Sequence, residues 1–413
     1  MINFKNNLNI AIYFDQKLTH GGGFQQSLNT IKQFDTINSH IYNITIFTTF
    51  FDNVSILKNL NFNVVNLNLN LFDRLSRFLR KKITNGYILN LFTKIFGLNP
   101  IERILLDYKI DLVYFITPSF VALELEKLCF IFTVWDLSHR DDPEFPEVRI
   151  DRIFENREKL LKKVLPKSIS IIVDSNLGKL NLVKRYGIDE ERVYIIPFTP
   201  AQNSNIIYDE YTRNYIDIKE RYNINFDYIY YPAQFWAHKN HIYIIEGIYK
   251  LEKVYNYKIG AIFSGVDKGN LSFLKSIVNK YELCERIKFI GFVDNEEIPY
   301  LYKQSLALVM PTYFGPTNLP PLEAFNLGVP VLYSNLPGLN AQVGNAALLL
   351  NLEEVDSLVE NLKIIINDEE RRNELILNGK IILNTLLKYE YKNIYETILK
   401  KYSTRRNTYG KIY

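Results

Sequence analysis

The sequence predicts an α/β protein of two doubly wound units, each a parallel sheet covered by helices, and three observations predict it. At 413 residues the chain exceeds one ordinary core and suits two domains of about 200 residues each. Short apolar, β-branched or aromatic runs recur at 9–14, 44–48, 64–69, 112–116, 130–134, 169–173 and 193–196, with helical segments between them. The series stops across a polar stretch, 201–217, and restarts at 228–231, 259–263, 287–290, 306–310, 329–333 and 347–350.

Near-continuous apolar runs of this length mark strands buried on both faces, as in a parallel sheet. The restart sets the domain boundary: residues 1–200 form the first unit and 201–385 the second. From 353 the pattern is helical to about 401, so 386–413 reads as a terminal helix able to pack back on the first unit, with a tail from Ser403 that frays.

The composition is 47% hydrophobic and 23% charged, which suits ordinary packed cores rather than disorder. With 49 basic and 45 acidic residues the net charge is +4, too mild for a nucleic-acid binder on bulk charge. Cys129 and Cys284 stand in separate apolar stretches without metal-ligand spacing, which predicts two reduced core thiols, no disulfide and no metal site. The first residues run into a strand without the pattern of a secretory signal, and no apolar run nears the roughly 18 residues of a membrane span. The expected location is the cytoplasm, with room for a peripheral place on the inner membrane face.

In doubly wound sheets ligands bind outside the carboxyl ends of the strands, so the loops after strands carry most weight. Four of the five histidines, His20, His139, His238 and His241, follow predicted strands. The first such loop holds Gly21, Gly22 and Gly23 before a helix, where backbone amides can approach a phosphate or sugar closely; a plain flexible turn is the alternative. The second, TVWDLSHRDDPEFPE, gathers Asp136, His139 and Arg140 past a buried strand. These residues can supply a proton-transfer group, acceptors for sugar hydroxyls and a cation, or simply cap a helix and form surface ion pairs.

The third, YPAQFWAHKNH, places Lys239 at a helix start between His238 and His241, a cation with backbone donors for a diphosphate. The fourth runs from Ser305 to Ser334: a buried strand, a Gly/Pro/Asn loop, a helix opened by Pro320 and Pro321 and stopped at Gly328, then the next strand. Glu323 is expected in the first turn of that helix, facing the ligand crevice, where a carboxylate can accept both hydroxyls of a ribose.

The segment PPLEAFNLGVPVLYSN resembles the C-terminal signature of glycosyltransferase family 4, the large retaining family of GT-B fold, and the likeness extends over most of the chain. YPAQFWAHKNH resembles its phosphate-binding segment, YGIDEERVYIIPF its interdomain segment, and WDLSHR a central loop of bacterial polysaccharide-type members, which transfer mannosyl, rhamnosyl or fucosyl groups. The resemblance implies two Rossmann-like domains around a deep cleft and a GDP-, dTDP- or UDP-linked sugar donor. It implies a metal-independent transfer with retention, no cofactor, and a glycan or lipid-linked glycan acceptor of the O-antigen or capsule type.

By position it implies that Glu323 binds the nucleotide ribose, that Lys239 binds the diphosphate with Gln234, His238, Thr317, Asn318 and Leu319 around the donor, and that Gly22 and Gly23 meet donor phosphate or acceptor. Asp136, His139 and Glu323 stand as the catalytic candidates, and Trp135 and Arg140 as sugar or acceptor contacts. The sequence departs from the family pattern at three places. The first of two usual glutamates is Gly315, with Thr317 and Asn318 the nearest substitutes; Gln234 stands near a usual arginine; and Trp135 replaces a usual histidine beside Asp136. An indole near the sixth carbon of the sugar suggests a 6-deoxyhexose donor. Two rival readings are an epimerase-like sugar-nucleotide enzyme and a non-catalytic binding subunit.

Residues 71–83, LFDRLSRFLRKKI, interleave Arg74, Arg77, Arg80, Lys81 and Lys82 with Leu71, Phe72, Leu75, Phe78, Leu79 and Ile83 at helical spacing. Such a helix can rest on anionic lipid or pack its apolar side inward with its charges solvated.

Overall fold

The computed structural model describes residues 7–17, 22–37, 41–83, 85–200 and 215–408. Among them the first sheet carries seven parallel strands: β1 (Leu8–Phe14), β2 (Tyr42–Thr48), β3 (Val64–Asn66), β4 (Leu112–Phe115), β5 (Cys129–Thr133), β6 (Ser170–Val173) and β7 (Val193–Ile195). Their order is β3-β2-β1-β4-β5-β6-β7. The second sheet carries six: β8 (Asp227–Pro232), β9 (Ile259–Ser264), β10 (Ile287–Gly291), β11 (Leu308–Met310), β12 (Val331–Ser334) and β13 (Ala347–Leu350), in the order β10-β9-β8-β11-β12-β13. Strand order reverses at β1/β4 and at β8/β11, so the loops after those strands flank the crevices where a doubly wound sheet binds ligands.

Every run predicted as a strand is one, and the differences lie at the ends. β3 stops at Asn66 because Asn68 donates back to the Asn66 carbonyl at 3.0 Å and closes a turn. β12 begins after Pro330, which has no N–H for the ladder although its carbonyl still accepts from Leu308 at 2.9 Å.

The last helix, Tyr391–Arg406, leaves the second sheet and packs on the first, where Tyr395, Ile398 and Leu399 join the core that holds Ile10, Ile12 and Phe34. Phe34 and Tyr395 meet edge to face at 4.8 Å, and the Tyr402 hydroxyl donates to the Asp111 carbonyl at 2.7 Å. The expected fraying from Ser403 is therefore wrong as far as Arg406, whose guanidinium pairs with Asp111 and holds the last turn. Cys284 also departs from expectation: it is exposed, its thiol 2.9 Å from Asn279 Oδ1, whereas Cys129 is half-buried; both are free.

Tyrosine supplies much of the second core. Tyr228, Tyr230, Tyr231, Tyr302 and Tyr333 are all fully enclosed, and each hydroxyl has a partner, as a buried phenol requires. Tyr228 donates to the Leu301 carbonyl at 3.0 Å, Tyr230 shares a 2.7 Å bond with Ser264, and Tyr231 donates to the Lys239 carbonyl at 3.1 Å.

Close packing of β9 gives a direct test. A Cβ on Gly260 would lie 2.2 Å from the Arg286 carbonyl oxygen and 2.2 Å from the Phe226 ring, and the backbone contact has little room to relax. Gly260→Ala should destabilise by about 2 kcal/mol and lower the melting temperature by several degrees. An unchanged melting temperature would contradict this packing.

Candidate active site

Between the carboxyl edges of the two sheets lies a cavity of about 790 Å³, within the range of small-molecule sites. The loop after β8 forms one wall. Ala233 donates to the Ser264 carbonyl at 2.9 Å and Phe235 to the Val266 carbonyl at 3.1 Å, carrying the chain along β9 before a single 3-10 turn, Ala237–Lys239. Asn240, in the left-handed region at φ 55°, then redirects it into the helix His241–Tyr255. Lys239 lines the cavity; among the described residues no carboxylate pairs with its ammonium, and burial pushes its pKa down to about 8.

The loop after β11 forms the opposite wall. Gly315 sits at φ +97°, and a Cβ there would come 3.0 Å from the Thr317 carbonyl oxygen. A glutamate at this position would be strained, which gives the departure from the family pattern a physical basis. The helix Leu319–Leu327 follows and ends on Gly328 in the left-handed region. Glu323 is its fifth residue, one turn deeper than expected, so the helix N-terminus is not its chief support. Instead the Tyr302 hydroxyl donates to Glu323 Oε2 at 3.0 Å. Burial pushes its pKa up to about 7, and the Tyr302 hydrogen bond pulls the other way.

The first domain supplies the rest. Gly23 lies against the Trp135 indole, which a Cβ would meet at 3.4 Å. Asp136 Oδ1 accepts from Ser138 N at 2.9 Å and from Arg157 at 2.7 Å; burial raises its pKa, but these partners outweigh it and hold the carboxyl below its usual range. Asp136 is therefore an ionised carboxylate anchored through one oxygen at the cavity wall.

Glu147 accepts from both the backbone N and Nδ1 of His238, whose ring stacks on Phe314 at 4.0 Å and 9°. Burial pushes the His238 pKa down to about 4. The other Glu147 oxygen has no partner among the described residues, and Glu147 lines the cavity. Thr317 donates to Asp174, the residue after β6; burial pushes Asp174 up to about 7 while the Thr317 and Ser175 hydroxyls pull it back.

The cavity thus brings together Gly23, Trp135, Asp136, Gln234, His238, Lys239, Thr317, Asn318, Leu319 and Glu323 from the expected set. Gly22 opens the helix Gly22–Asp35, and His20 and Gly21 lie outside the described residues. His139 requires correction. It is fully enclosed, its Nε2 3.0 Å from Glu158 Oε1, and burial together with the Arg157 charge pushes its pKa down. It does not line the cavity and cannot move a proton there.

Arg140 clamps the same Glu158 carboxylate with two bonds of 2.6 Å and borders a smaller neighbouring cavity of about 370 Å³. His241 packs among Tyr231, Phe235 and Phe263, its pKa pushed down to about 3 by burial, so it offers nothing to a diphosphate. Thr317 and Asn318 are poor replacements for a carboxylate: Thr317 is committed to Asp174, and the Asn318 amide donates to Tyr333 at 2.7 Å and to the Phe314 carbonyl at 3.2 Å.

Sequence reasoning missed Tyr302, Glu147 and Asp174. Glu147 stands in the quoted TVWDLSHRDDPEFPE segment, and its pairing with His238 is visible only in three dimensions.

The raised Glu323 pKa makes a signed prediction. Between its ordinary value near 4.5 and about 7 the folded protein keeps a proton that the unfolded chain has released, so stability from this group falls as pH rises through that window. Glu323→Gln should melt above wild type at pH near 8, and this advantage should shrink toward pH near 5. A difference independent of pH would contradict the burial of an ionisable carboxyl here.

Residues 215–381 match the family model described as Glycosyl transferases group 1. The O-antigen chain mannosyltransferase B of Escherichia coli is 24% identical over 277 residues, covering 64% of this chain and 68% of that protein. The O-antigen chain mannosyltransferase RfbU of Salmonella typhimurium is 26% identical over 207 residues, covering 50% of this chain and 53% of that protein. Among solved structures, the Anabaena Alr3699/HepE protein in complex with UDP-glucose superposes with a TM-score of 0.70 at 14% identity, covering 96% of this chain and all of that one. A glycosyltransferase from Rickettsia africae gives 0.67 at 16% identity, covering 96% and 99%. The architecture is GT-B, residues 215–381 are a glycosyl transferases group 1 domain, and the chain that carries it is a glycosyltransferase.

Proposed function

We propose that the protein transfers a hexosyl or 6-deoxyhexosyl group from a nucleotide sugar to a glycan or lipid-linked glycan during surface-polysaccharide assembly, with retention at the anomeric carbon. One observation carries the donor assignment: Glu323 and Lys239, which has no carboxylate partner among the described residues, line the same cavity at the carboxyl edge of the second sheet. The names of the relatives, O-antigen mannosyltransferases, and of a structural neighbour holding UDP-glucose support the substrate class.

In this reading ionised Glu323 accepts the two ribose hydroxyls and Lys239 meets the diphosphate, stabilising the negative charge that develops as the sugar–phosphate bond breaks. The acceptor hydroxyl attacks from the leaving-group face and its proton passes to the departing phosphate oxygen, so no metal and few side-chain actors are required. Asp136, pinned by Arg157 and Ser138, contributes fixed negative charge rather than proton transfer. Trp135, packed on Gly23, gives the sugar an apolar neighbour. The acceptor enters from the first domain, where helix Leu71–Lys82 turns its large apolar side chains to the solvent.

Gly315 in place of a sugar-contacting glutamate favours one other reading, a subunit that binds nucleotide sugar without turning it over. Turnover separates the two. A donor should raise the melting temperature of the wild type, because it binds only the folded state, and Lys239→Ala should weaken that donor about tenfold or more. Glu323→Ala should abolish the shift. Stabilisation by no nucleotide would overturn the donor assignment. Among donors that bind, 6-deoxyhexoses should turn over roughly tenfold faster than their 6-hydroxy counterparts, and equal turnover of GDP-mannose or UDP-glucose would remove the role given to Trp135.

A further inference from the structure

Helix Leu71–Lys82 is oriented opposite to the usual rule for a surface helix. Asp73, Ser76 and Arg80 face inward and are buried, while Leu71, Phe72, Leu75, Phe78 and Leu79 face solvent, Leu71 at 85% exposure and Phe72 at 60%. The polar side is locked to the body. Arg77 forms a two-bond pair with Glu124 at 2.8 and 2.9 Å, Lys81 reaches the same carboxylate at 3.1 Å, and Asp73 pairs with Arg103 at 2.8 Å.

The next helix, Gly86–Phe96, continues the pattern. No residue of it is buried, and Tyr87, Ile88, Leu91, Ile95 and Phe96 are exposed, Tyr87 at 80% and Ile95 at 65%. Arg80 joins the two helices from within: it donates to Thr93 Oγ1 at 2.9 Å and to the Gly97 carbonyl, and its guanidinium lies 5.0 Å from the Phe92 ring centre.

A pair of helices whose ion pairs point inward and whose large apolar side chains point outward has no water-facing rationale, since exposed apolar area of this kind marks a binding surface. Charge names the occupant. The one acidic residue in the two helices is Asp73, buried against Arg103, while Arg74, Lys82 and Lys94 are exposed around the apolar face. A cationic rim around an apolar face is complementary to an anionic lipid surface: the apolar residues enter the acyl boundary and the basic ones meet the headgroups.

The anchor also stands at the edge of the first sheet that opens toward the cavity. Glu124 closes the 3-10 turn Phe120–Glu124 after β4, and the preceding Ser119 donates to Asp15, just after β1, at 2.6 Å.

We infer that residues 71–96 form a membrane-docking hairpin that inserts its apolar face into an anionic bilayer beside the acceptor entrance, and so presents the cleft to a lipid-borne acceptor. The docking surface lies outside the cavity and stands whether or not the donor assignment does. The full chain should pellet with vesicles of mixed phosphatidylcholine and phosphatidylglycerol and less with phosphatidylcholine alone, and raised salt should weaken but not abolish binding. Lys82→Ala and Lys94→Ala should each lower vesicle affinity about fivefold.

Phe72→Ser and Ile88→Ser should each lower it roughly tenfold or more and remove the salt-resistant part. These side chains are exposed, so the melting temperature and its nucleotide-dependent shift should stay at wild-type values. Phe78→Trp gives an independent readout, a blue shift of its fluorescence on vesicle addition. Failure to pellet with the anionic vesicles would overturn the inference. So would a wild-type dimer that Phe72→Ser and Ile88→Ser dissociate while vesicles leave the protein in solution.

Discussion

A phenol hydroxyl buried without a partner loses its water hydrogen bonds and regains nothing, and the second domain buries several. Their rings fill the core, and three of their hydroxyls end on the donor walls of the cavity: Tyr231 on the Lys239 carbonyl, Tyr302 on the Glu323 carboxylate, and Tyr333 in a network with Asn318 and Gln342. The requirement that stabilises the core therefore also fixes the loops that carry the site. Gln342 completes the arrangement by accepting from Asn318 N at 2.9 Å and donating to its carbonyl at 2.6 Å, so the turn that launches the Glu323 helix is held at both backbone groups.

The two domains meet through the same loops. The segment after β5 sends Phe145 between Tyr313 and Phe314 and pins His238 through Glu147, while Asp174 after β6 takes the Thr317 hydroxyl. Each contact joins a first-domain loop to one of the two second-domain loops that line the cavity. The seam brings Trp135 and Glu323 to the walls of one cavity.

Much of this was legible in the sequence because the physics is local. Strands covered on both faces must be apolar throughout, so the two sheets announce themselves, and a polar stretch between two such series marks the boundary. Glu323 and Lys239 were legible because turn and helix signals bracket them. What failed was direction. His139 and His241 follow strands as ligand-binding histidines do, yet one turns toward Glu158 and the other into an aromatic core. Residues 71–83 read as amphipathic, but periodicity does not say which side faces the body, and ion pairs to Glu124 and Arg103 decide that it is the polar one. Tyr302 lies 21 residues before Glu323 and reads as core, which it also is.

The central claim is that Tyr302 positions an ionisable Glu323 to receive the ribose, and the pH dependence of nucleotide affinity in Tyr302→Phe tests it most directly. Tyr302 stabilises the ionised carboxylate against burial, so its loss should weaken nucleotide binding several-fold near pH 7 and move the midpoint of the affinity profile to higher pH. An affinity profile that keeps the wild-type midpoint in Tyr302→Phe would contradict the account, because a merely structural tyrosine would change stability and leave that midpoint in place.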